Sequence, residues 1–379
     1  MIQRRFRLAL LLLLAMASVA VAQSDSKEKV AKMDSWNQFR ITADNCGVLG
    51  ETEIEKPELM WKYPTGDVIE SSAAVIGGVA YVGGHAKRLH AIDVESGKLK
   101  WKFDVGGWVR ASASVVDGVV YFGADDNKFY ALDAKTGEKK WDFDLGEGGE
   151  QSSPMIDDGV VYFGAFDHFV YALDAGTGQQ KWKLDVGASM LSSPSSDGKS
   201  IFIGTYGGEF FSIDKVSGKK NWSKKLSDQP IFSTAAIAGD LVCFTSYDNH
   251  VYAYNTAGKE VWKYKTDGQI FSSPAIKEKT VYVGSNDKNL YALDASSGEV
   301  KWKTDLKGAV FSSPTVTEKS IYVGSSDGHL YALDRKDGKI RWDFLVKEGM
   351  RVWTSAAAVN GKLYFGSHNG DVLAVREAK

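Results

Sequence analysis

Three features of the sequence predict an all-β fold. The predicted fold is an eight-bladed β-propeller of four-stranded antiparallel blades. A tryptophan recurs every 40 or 41 residues, apolar and polar residues alternate in short runs between turn residues, and no stretch has the apolar spacing of an amphipathic helix. So regular a period indicates repeated units that pack on their neighbours. The recurring tryptophans are Trp61, Trp101, Trp141, Trp182, Trp222, Trp262, Trp302 and Trp342.

Each repeat has the length and the turn pattern of one propeller blade. In residues 311–342, short apolar runs are separated by Glu318-Lys319, Asp327-Gly328 and Asp337-Gly338. Period-2 runs between such turns are typical of strands in tight hairpins. Four strands of about six residues and four short turns account for a repeat of about 40 residues. A barrel of alternating strands and helices is disfavoured, because it would need a helical stripe in every repeat.

Eight blades follow from the segments that begin the first strand of each unit, from Ser71-Ser72 to Thr354-Ser355. The last unit, residues 353–375, has only three predicted strands, whereas the strand at residues 58–63 precedes the first unit and has no blade of its own. We therefore expect this amino-terminal strand to complete the eighth blade, which removes a weak junction in the ring.

The turn before each tryptophan carries the most specific signature. The pattern Ala131-x-Asp133-x-x-x-Gly137-x-x-x-Trp141 recurs with small changes along the chain. It resembles the tryptophan-docking motif of the PQQ-like (pyrroloquinoline quinone, quinoprotein-type) repeat family of β-propellers, and the resemblance covers residues 57–379. It implies that the eight recurring tryptophans are docking residues held between neighbouring blades.

The predicted domains are a signal peptide at residues 1–22, an amino-terminal extension at 23–56 and the propeller at 57–379. Three arginines precede the apolar run of residues 8–22, which ends in a small-x-small cleavage site and is short for a membrane span. We expect a periplasmic or secreted protein, with an uncleaved anchor as the alternative and peripheral membrane association left open. Trp36 and Phe39 are expected to pack the extension on the propeller.

Charge and cysteine content exclude some classes of function. The formal net charge is −2, and no basic stripe suits nucleic acid, so we expect no nucleic-acid partner. We also expect a monomer. Cys243 occupies an aromatic position of the repeat and is expected to behave as a buried apolar residue. A disulfide between Cys46 and Cys243 stays open, because sequence alone does not place them within reach.

No catalytic or metal-binding constellation is evident. The six histidines are scattered over five of the eight units without ligand spacing, and turns such as Asp125-Asp126-Asn127 lack the twelve-residue calcium pattern. We expect turn or packing roles for them, no metal site and no enzyme activity.

One position varies informatively around the ring, immediately before each Ser-Ser pair. The first strand of a blade is innermost in a propeller, so this position is expected at a mouth of the central channel. A polar arc would face an aromatic arc there, which suits a ligand or a protein partner; the alternative is that the aromatic residues fill gaps between blades. The residues are Glu70, Arg110, Gln151, Leu191, Phe232, Phe271, Phe311 and Trp353.

The resemblance implies two kinds of function. Non-catalytic, BamB-like members are scaffolds of outer-membrane protein assembly, and we expect an exported binding or assembly scaffold with an envelope protein partner and no cofactor. This chain departs from them in having no lipid-attachment cysteine near the cleavage site. The alternative is a PQQ-dependent oxidoreductase, although those members are longer and commonly carry an adjacent cysteine pair. Small-molecule or glycan binding at the channel mouth is a third hypothesis.

Overall fold

A computed structural model describes residues 52–149 and 152–379, and it confirms the all-β, eight-bladed prediction. These residues form 32 strands in eight four-stranded antiparallel sheets. We number the blades 1 to 8 along the chain and name the strands of each blade A to D from the channel outward. No helix in the described part of the chain is long and apolar enough to cross a membrane.

The inner half of each blade consists of strands A and B. The A strands are β2 (Ala74–Ile76), β6 (Ser114–Val116), β10 (Met155–Asp157), β14 (Ser195–Ser196), β18 (Ala236–Ala238), β22 (Ala275–Lys277), β26 (Thr315–Val316) and β30 (Ala357–Val359). The B strands are β3 (Val79–Val82), β7 (Val119–Ala124), β11 (Val160–Gly164), β15 (Ser200–Gly204), β19 (Leu241–Thr245), β23 (Thr280–Gly284), β27 (Ser320–Gly324) and β31 (Lys362–Gly366).

The outer half consists of strands C and D. The C strands are β4 (Arg88–Asp93), β8 (Lys128–Asp133), β12 (Phe169–Asp174), β16 (Glu209–Asp214), β20 (His250–Asn255), β24 (Asn289–Asp294), β28 (His329–Asp334) and β32 (Asp371–Glu377). The D strands are β5 (Leu99–Asp104), β9 (Lys139–Asp144), β13 (Gln180–Asp185), β17 (Lys220–Lys225), β21 (Glu260–Lys265), β25 (Val300–Asp305), β29 (Ile340–Leu345) and β1 (Pro57–Pro64).

Blade 8 closes the ring with the amino-terminal strand, as predicted. Its sheet has the order β1-β32-β31-β30, and β1 pairs with β32 from Pro57↔Glu377 to Pro64↔Asp371. The innermost strands β30 and β2 are in contact, so the last blade meets the first. The two ends of the described propeller are therefore joined within one sheet.

The docking tryptophans join each blade to the next. Among the described residues, seven of the eight indole N–H groups donate to a backbone carbonyl of the following blade, over 2.6–3.2 Å. The indole also packs on the glycine of the next turn; a Cβ on Gly137, for example, would lie 2.7 Å from the Trp101 ring. The core lies in these interfaces, where each apolar cluster combines residues of two blades.

Cys243 takes the strand B position that a tyrosine or phenylalanine occupies in the other blades. In those blades the aromatic ring lies near a tryptophan, as Tyr121 does at 5.9 Å from Trp141 between ring centroids. Cys243 is fully buried and forms no disulfide among the described residues, and burial raises the pKa of its thiol. The sequence-based expectation of a buried apolar residue is confirmed, while Cys46 lies outside the described residues.

Residues 52–56 lie on blades 7 and 8 and supply the turn that the last repeat lacks. The Trp342 indole donates to the Ile54 carbonyl over 2.6 Å, which replaces the usual acceptor in the turn before strand D. The Glu53 carboxylate accepts from the Thr317 and Ser320 hydroxyls and from the Lys319 amide, over 2.6–2.8 Å. The rest of the predicted extension, with Trp36 and Phe39, and the predicted signal peptide lie outside the described residues.

Candidate binding site at the channel mouth

The Ser-Ser pairs bind strand B within their blade and the next blade around the ring. The first hydroxyl of a pair accepts the amide N–H at the end of strand B, as Ser192 does from Gly204 and Thr354 does from Gly366. The same contact recurs, over 2.7–3.2 Å, in every blade except blade 2, where Ala111 has no hydroxyl. This contact fixes the entry to strand A in those seven blades.

The second residue of each pair belongs to a ring of hydroxyl groups around the channel. Its amide N–H donates to the hydroxyl oxygen of the corresponding residue in the next blade, over 2.9–3.1 Å. Among the described residues this contact forms at seven of the eight blade interfaces, including Ser355 to Ser72, where the last blade meets the first. The hydroxyl residues are Ser72, Ser112, Ser153, Ser193, Thr234, Ser273, Ser313 and Ser355.

The structure brings the variable residues together around this ring. A cavity of about 220 Å³ has the hydroxyl ring on its wall together with seven of the eight sequence-predicted positions. Gln151, the remaining one, lies outside the described residues. The seven are Glu70, Arg110, Leu191, Phe232, Phe271, Phe311 and Trp353.

One side of the mouth is a continuous arc of aromatic rings. Phe232 stacks on Phe271 with 4.4 Å between ring centroids, Phe271 meets Phe311 at 5.7 Å, and Phe311 meets Trp353 at 4.8 Å. Phe271 is 37% exposed although it is a large apolar residue. The Trp353 indole nitrogen is buried and has no hydrogen-bond partner among the described residues. The arc therefore presents apolar surface, with one unpaired donor buried behind it.

The other side of the mouth carries charged pairs. Glu70 accepts from the His85 ring over 3.2 Å, and Arg110 donates to Asp125 over 2.8 Å. Burial raises the pKa of the Asp125 carboxyl, and the neighbouring Arg110 cation opposes that shift. The charges are arranged as neighbouring pairs of opposite sign.

A third group of mouth residues was not predicted from the sequence. Tyr206 and Tyr247, in the turns between strands B and C, pack edge-on against Phe232 at 5.1 and 5.6 Å and extend the aromatic arc. Trp108 stacks on the His85 ring at 4.3 Å. Tyr206 and Tyr247 could have been found from the sequence, because a phenylalanine or tyrosine at the second position after strand B occurs in blades 3, 4 and 5 only.

Among the described residues, five of the six histidines and the aspartate-rich turns have structural partners. His90 is buried, which lowers its pKa to about 4, and its Nδ1 lies 3.1 Å from the Tyr63 hydroxyl of blade 8. His368 lies 3.7 Å from Glu70, so it belongs to the mouth and not to a remote turn. In the Asp126 and Asp287 turns, the carboxylate accepts the hydroxyl of the strand C tyrosine. No group of three metal-ligand side chains is found in residues 52–149 and 152–379.

Two family models match the chain. The model described as "Beta-alanine-activating enzyme, beta-propeller" matches residues 130–320, half of the chain, and the model described as "Outer membrane protein assembly factor BamB" matches residues 47–190. The protein belongs to the PQQ-like repeat β-propellers. A sequence search among curated proteins found no match to this propeller.

Solved structures of BamB and of two dehydrogenases share the fold of this PQQ-like propeller. BamB from Moraxella catarrhalis has a TM-score of 0.71 at 19% identity, over 84% of this chain and 97% of that one. A europium-containing methanol dehydrogenase has a TM-score of 0.80 at 14% identity, over 93% and 100% of the two chains. The quinohemoprotein alcohol dehydrogenase from Comamonas testosteroni has a TM-score of 0.79 at 16% identity, over 93% and 82%. At such identities the likeness is one of fold.

Proposed function

We propose that this PQQ-like propeller is an exported, non-catalytic scaffold that binds a partner protein of the cell envelope at the channel mouth. The observation that carries the proposal is the partly exposed aromatic arc of Phe232, Phe271, Phe311 and Trp353 beside paired charges. Apolar rings clustered at a surface gain free energy when a partner covers them, and aromatic residues dominate the energetics of many interfaces.

The surroundings of the arc favour binding over chemistry. Catalytic groups are usually carried by loops on a rigid scaffold, whereas the turns at this mouth are short and their aspartates are held by tyrosine hydroxyls, as Asp248 is by Tyr252. The charged groups are also paired with each other. Such pairs can orient an approaching partner through its complementary charges.

The proposed location in the cell envelope is inferred from the amino-acid sequence. The leader-like segment at residues 1–22 and the match of residues 47–190 to the BamB model both support export. BamB is by its name an outer-membrane protein assembly factor, and we extend that class of role to this chain.

The test is a double substitution, Phe271→Ala with Phe311→Ala. It removes exposed apolar surface from the centre of the arc, so recovery of the partner in cross-linked pull-downs from envelope extract should fall at least tenfold. Val216→Ala is the matched control, because Val216 is 82% exposed and lies in a turn outside the mouth.

Thermal unfolding of the same variants separates the alternatives. Unchanged partner recovery, or a wild-type chain that recovers no partner, would contradict the scaffold proposal. A large loss of thermal stability in the double variant would instead favour the packing interpretation of the aromatic residues.

A PQQ-dependent oxidoreductase is the second candidate, because two similar folds belong to dehydrogenases. The described residues do not fit that cofactor. The mouth cavity of about 220 Å³ is smaller than the usual ligand pocket of about 300–1,000 Å³, and Cys243 is buried in β19 with no cysteine beside it. A thermal shift on adding PQQ with calcium, together with dye-linked oxidation of an alcohol or a sugar, would restore this candidate.

A further inference from the structure

One group of polar side chains at the channel mouth is centred on Glu70. Its carboxylate lies between two imidazole rings, 3.2 Å from Nε2 of His85 and 3.7 Å from Nε2 of His368. Each imidazole also packs on a tryptophan. Trp108 stacks on His85 at 4.3 Å between ring centroids, and Trp353 meets His368 edge-on at 4.2 Å. Because His368 contacts both Glu70 and Trp353, Glu70 lies close to the end of the aromatic arc.

The net charge of this group depends on pH. A histidine is positively charged only when it is protonated, which ordinarily occurs below about pH 6.5. Burial also lowers the pKa of His368. A neutral imidazole can donate a hydrogen bond to Glu70, but it does not balance the negative charge of the carboxylate. Above pH 7 the group therefore carries the charge of Glu70.

The arginines of the mouth do not balance that charge within the cavity. Glu70 and Arg110 are the charged residues on the cavity wall among those that the structure describes. Arg110 donates to Asp125 over 2.8 Å, so this cation is already paired. Arg351 is exposed and does not line the cavity, and solvent ions screen its charge. The unbalanced charge on the cavity wall is therefore negative.

The aromatic rings beside Glu70 also favour a cation. The face of an aromatic ring is electronegative and attracts positive charge. Two arginines of the chain already lie over rings at this mouth, Arg351 at 4.9 Å from the Trp353 centroid and Arg110 at 5.3 Å from that of Trp108. Phe311, next to Trp353 on the cavity wall, has no such cation over it in the described part of the chain.

The hydroxyl ring adds oxygen acceptors to the same cavity. A hydroxyl oxygen has two lone pairs. A backbone amide uses one of them, as the amide of Thr234 does at Ser273 and that of Ser273 does at Ser313. The second lone pair can accept a hydrogen bond from an ammonium or guanidinium group. Carboxylate, ring faces and hydroxyl oxygens thus line one cavity.

We propose that the mouth cavity receives a lysine or arginine side chain of the partner protein, with its cation near Glu70 and the rings of Phe311 and Trp353. The hydrocarbon part of that side chain would pack on the aromatic arc. The inference rests on the proposed function, because it names the side chain that the partner inserts. A carboxylate in the same place would meet the like charge of Glu70.

The first test measures binding of four small probes to the full chain by ligand-observed NMR near pH 7.5. The probes are the Nα-acetyl amides of lysine, arginine, norleucine and glutamate, and norleucine has the chain length of lysine without its charge. The two cationic probes should bind at least about fivefold more tightly than the norleucine probe, and the glutamate probe should bind most weakly.

Two variants assign this preference to Glu70. Glu70→Gln keeps the size of the side chain and removes its charge, so the cationic probes should lose their advantage. Glu348→Gln is the matched control, because Glu348 is exposed in the turn before strand A of blade 8 and does not line the cavity. Thermal unfolding shows that each variant is folded. Equal binding of all four probes, or a preference that survives Glu70→Gln, would overturn the proposal.

A second arm uses pH. Near pH 5.5 a protonated imidazole pairs with Glu70, so the advantage of the cationic probes in the wild-type chain should fall at least about threefold. His85→Gln combined with His368→Gln should keep the advantage at both pH values, because glutamine does not titrate. A wild-type preference that does not change with pH, or an equal fall in the double variant, would contradict the role assigned to Glu70.

The partner itself is tested in the cross-linked pull-down. Glu70→Gln should lower partner recovery at least about fivefold, whereas Glu348→Gln should not. Full recovery by Glu70→Gln would overturn this inference and leave the scaffold proposal standing. A wild-type chain that recovers no partner would contradict both proposals about the partner, whereas the probes report the charge preference of the cavity by themselves.

Discussion

Gly137 meets two requirements at a single position. Its φ of 76° lies in the left-handed region that side chains avoid, and a Cβ there would lie 2.7 Å from the Trp101 indole. The same pair of constraints applies at the glycines of the other described docking turns, from Gly97 to Gly338. The glycine of the motif is therefore required by the interface between blades as well as by the conformation of the turn.

Gly137→Ala and Gly146→Ala separate the two constraints. Gly146 has the same φ of 76° with open space around its Cβ, so its substitution should cost only about 1 kcal/mol of unfolding free energy. Gly137→Ala should cost about 1–3 kcal/mol more, because the methyl group displaces the indole. Urea unfolding measures both, and equal losses would mean that the indole does not restrict this position.

At the scale of single residues, the sequence predicted the docking tryptophans and the ring of variable residues, but not the hydroxyl ring. Each contact of that ring joins residues about one repeat apart, such as Ser72 and Ser112, and depends on the angle between neighbouring blades. The recurrence of Ser-Ser was visible, whereas the direction of its hydrogen bonds was not. The stack of Trp108 on His85 was missed for the same reason.

At the scale of elements, the segment at residues 52–56 takes the place of the turn before strand D in blade 8. Its carbonyl at Ile54 accepts the Trp342 indole, and the Glu377 carboxylate accepts the amides of Glu55 and Lys56. The pairing of β1 with β32 could be predicted from the missing strand. The turn could not, because residues 52–56 carry none of the repeat motif.

Glu53→Ala should weaken this attachment. The loss of an acceptor for three donors, the Thr317 and Ser320 hydroxyls and the Lys319 amide, should cost about 1–3 kcal/mol. Glu55→Ala is the control, because Glu55 is exposed and such pairs contribute about 0–1 kcal/mol. Hydrogen exchange should accelerate at Lys319 in the first variant only. Equal exchange in both would contradict the attachment through Glu53.

At the scale of the molecule, the ring is closed by one sheet that joins the two ends of the propeller. The number of blades and the closure of the ring could be predicted from the 40-residue period and from the strand that the last repeat lacks. The ion pairs between neighbouring blades, such as that of Lys215 with Asp157 and Asp158, could not be predicted, because the repeat motif does not fix the residue at the Lys215 position.

A disulfide across the closing pair should stabilise the ring more than one inside a blade. Glu58 and Arg376 are register partners in β1 and β32, and such Cα pairs lie within disulfide range. Converting both to cysteine closes a loop of almost the whole propeller, whereas the control pair Lys128 and Asp144 closes one hairpin. Chain entropy predicts a difference of about 2–3 kcal/mol in favour of the first.

The comparison is made by thermal unfolding of each oxidised variant against its own reduced form. Every variant also carries Cys46→Ser, and Cys243 is buried, so neither native thiol competes for oxidation. Equal stabilisation by the two disulfides would contradict closure of the ring through β1.

The pairing of β1 with β32 also sets an order of events during protein synthesis. A ribosome makes β1 before any other strand of the propeller and β32 after all of them. The first strand therefore has no partner strand until the whole domain has been translated. During that time the surfaces of blades 1 and 7 that blade 8 later covers face water. Pairing over so long a sequence separation is slow, and the nascent chain is prone to aggregate until it occurs. Chaperones that hold unfolded chains should therefore matter for this protein until its final strand has paired with β1.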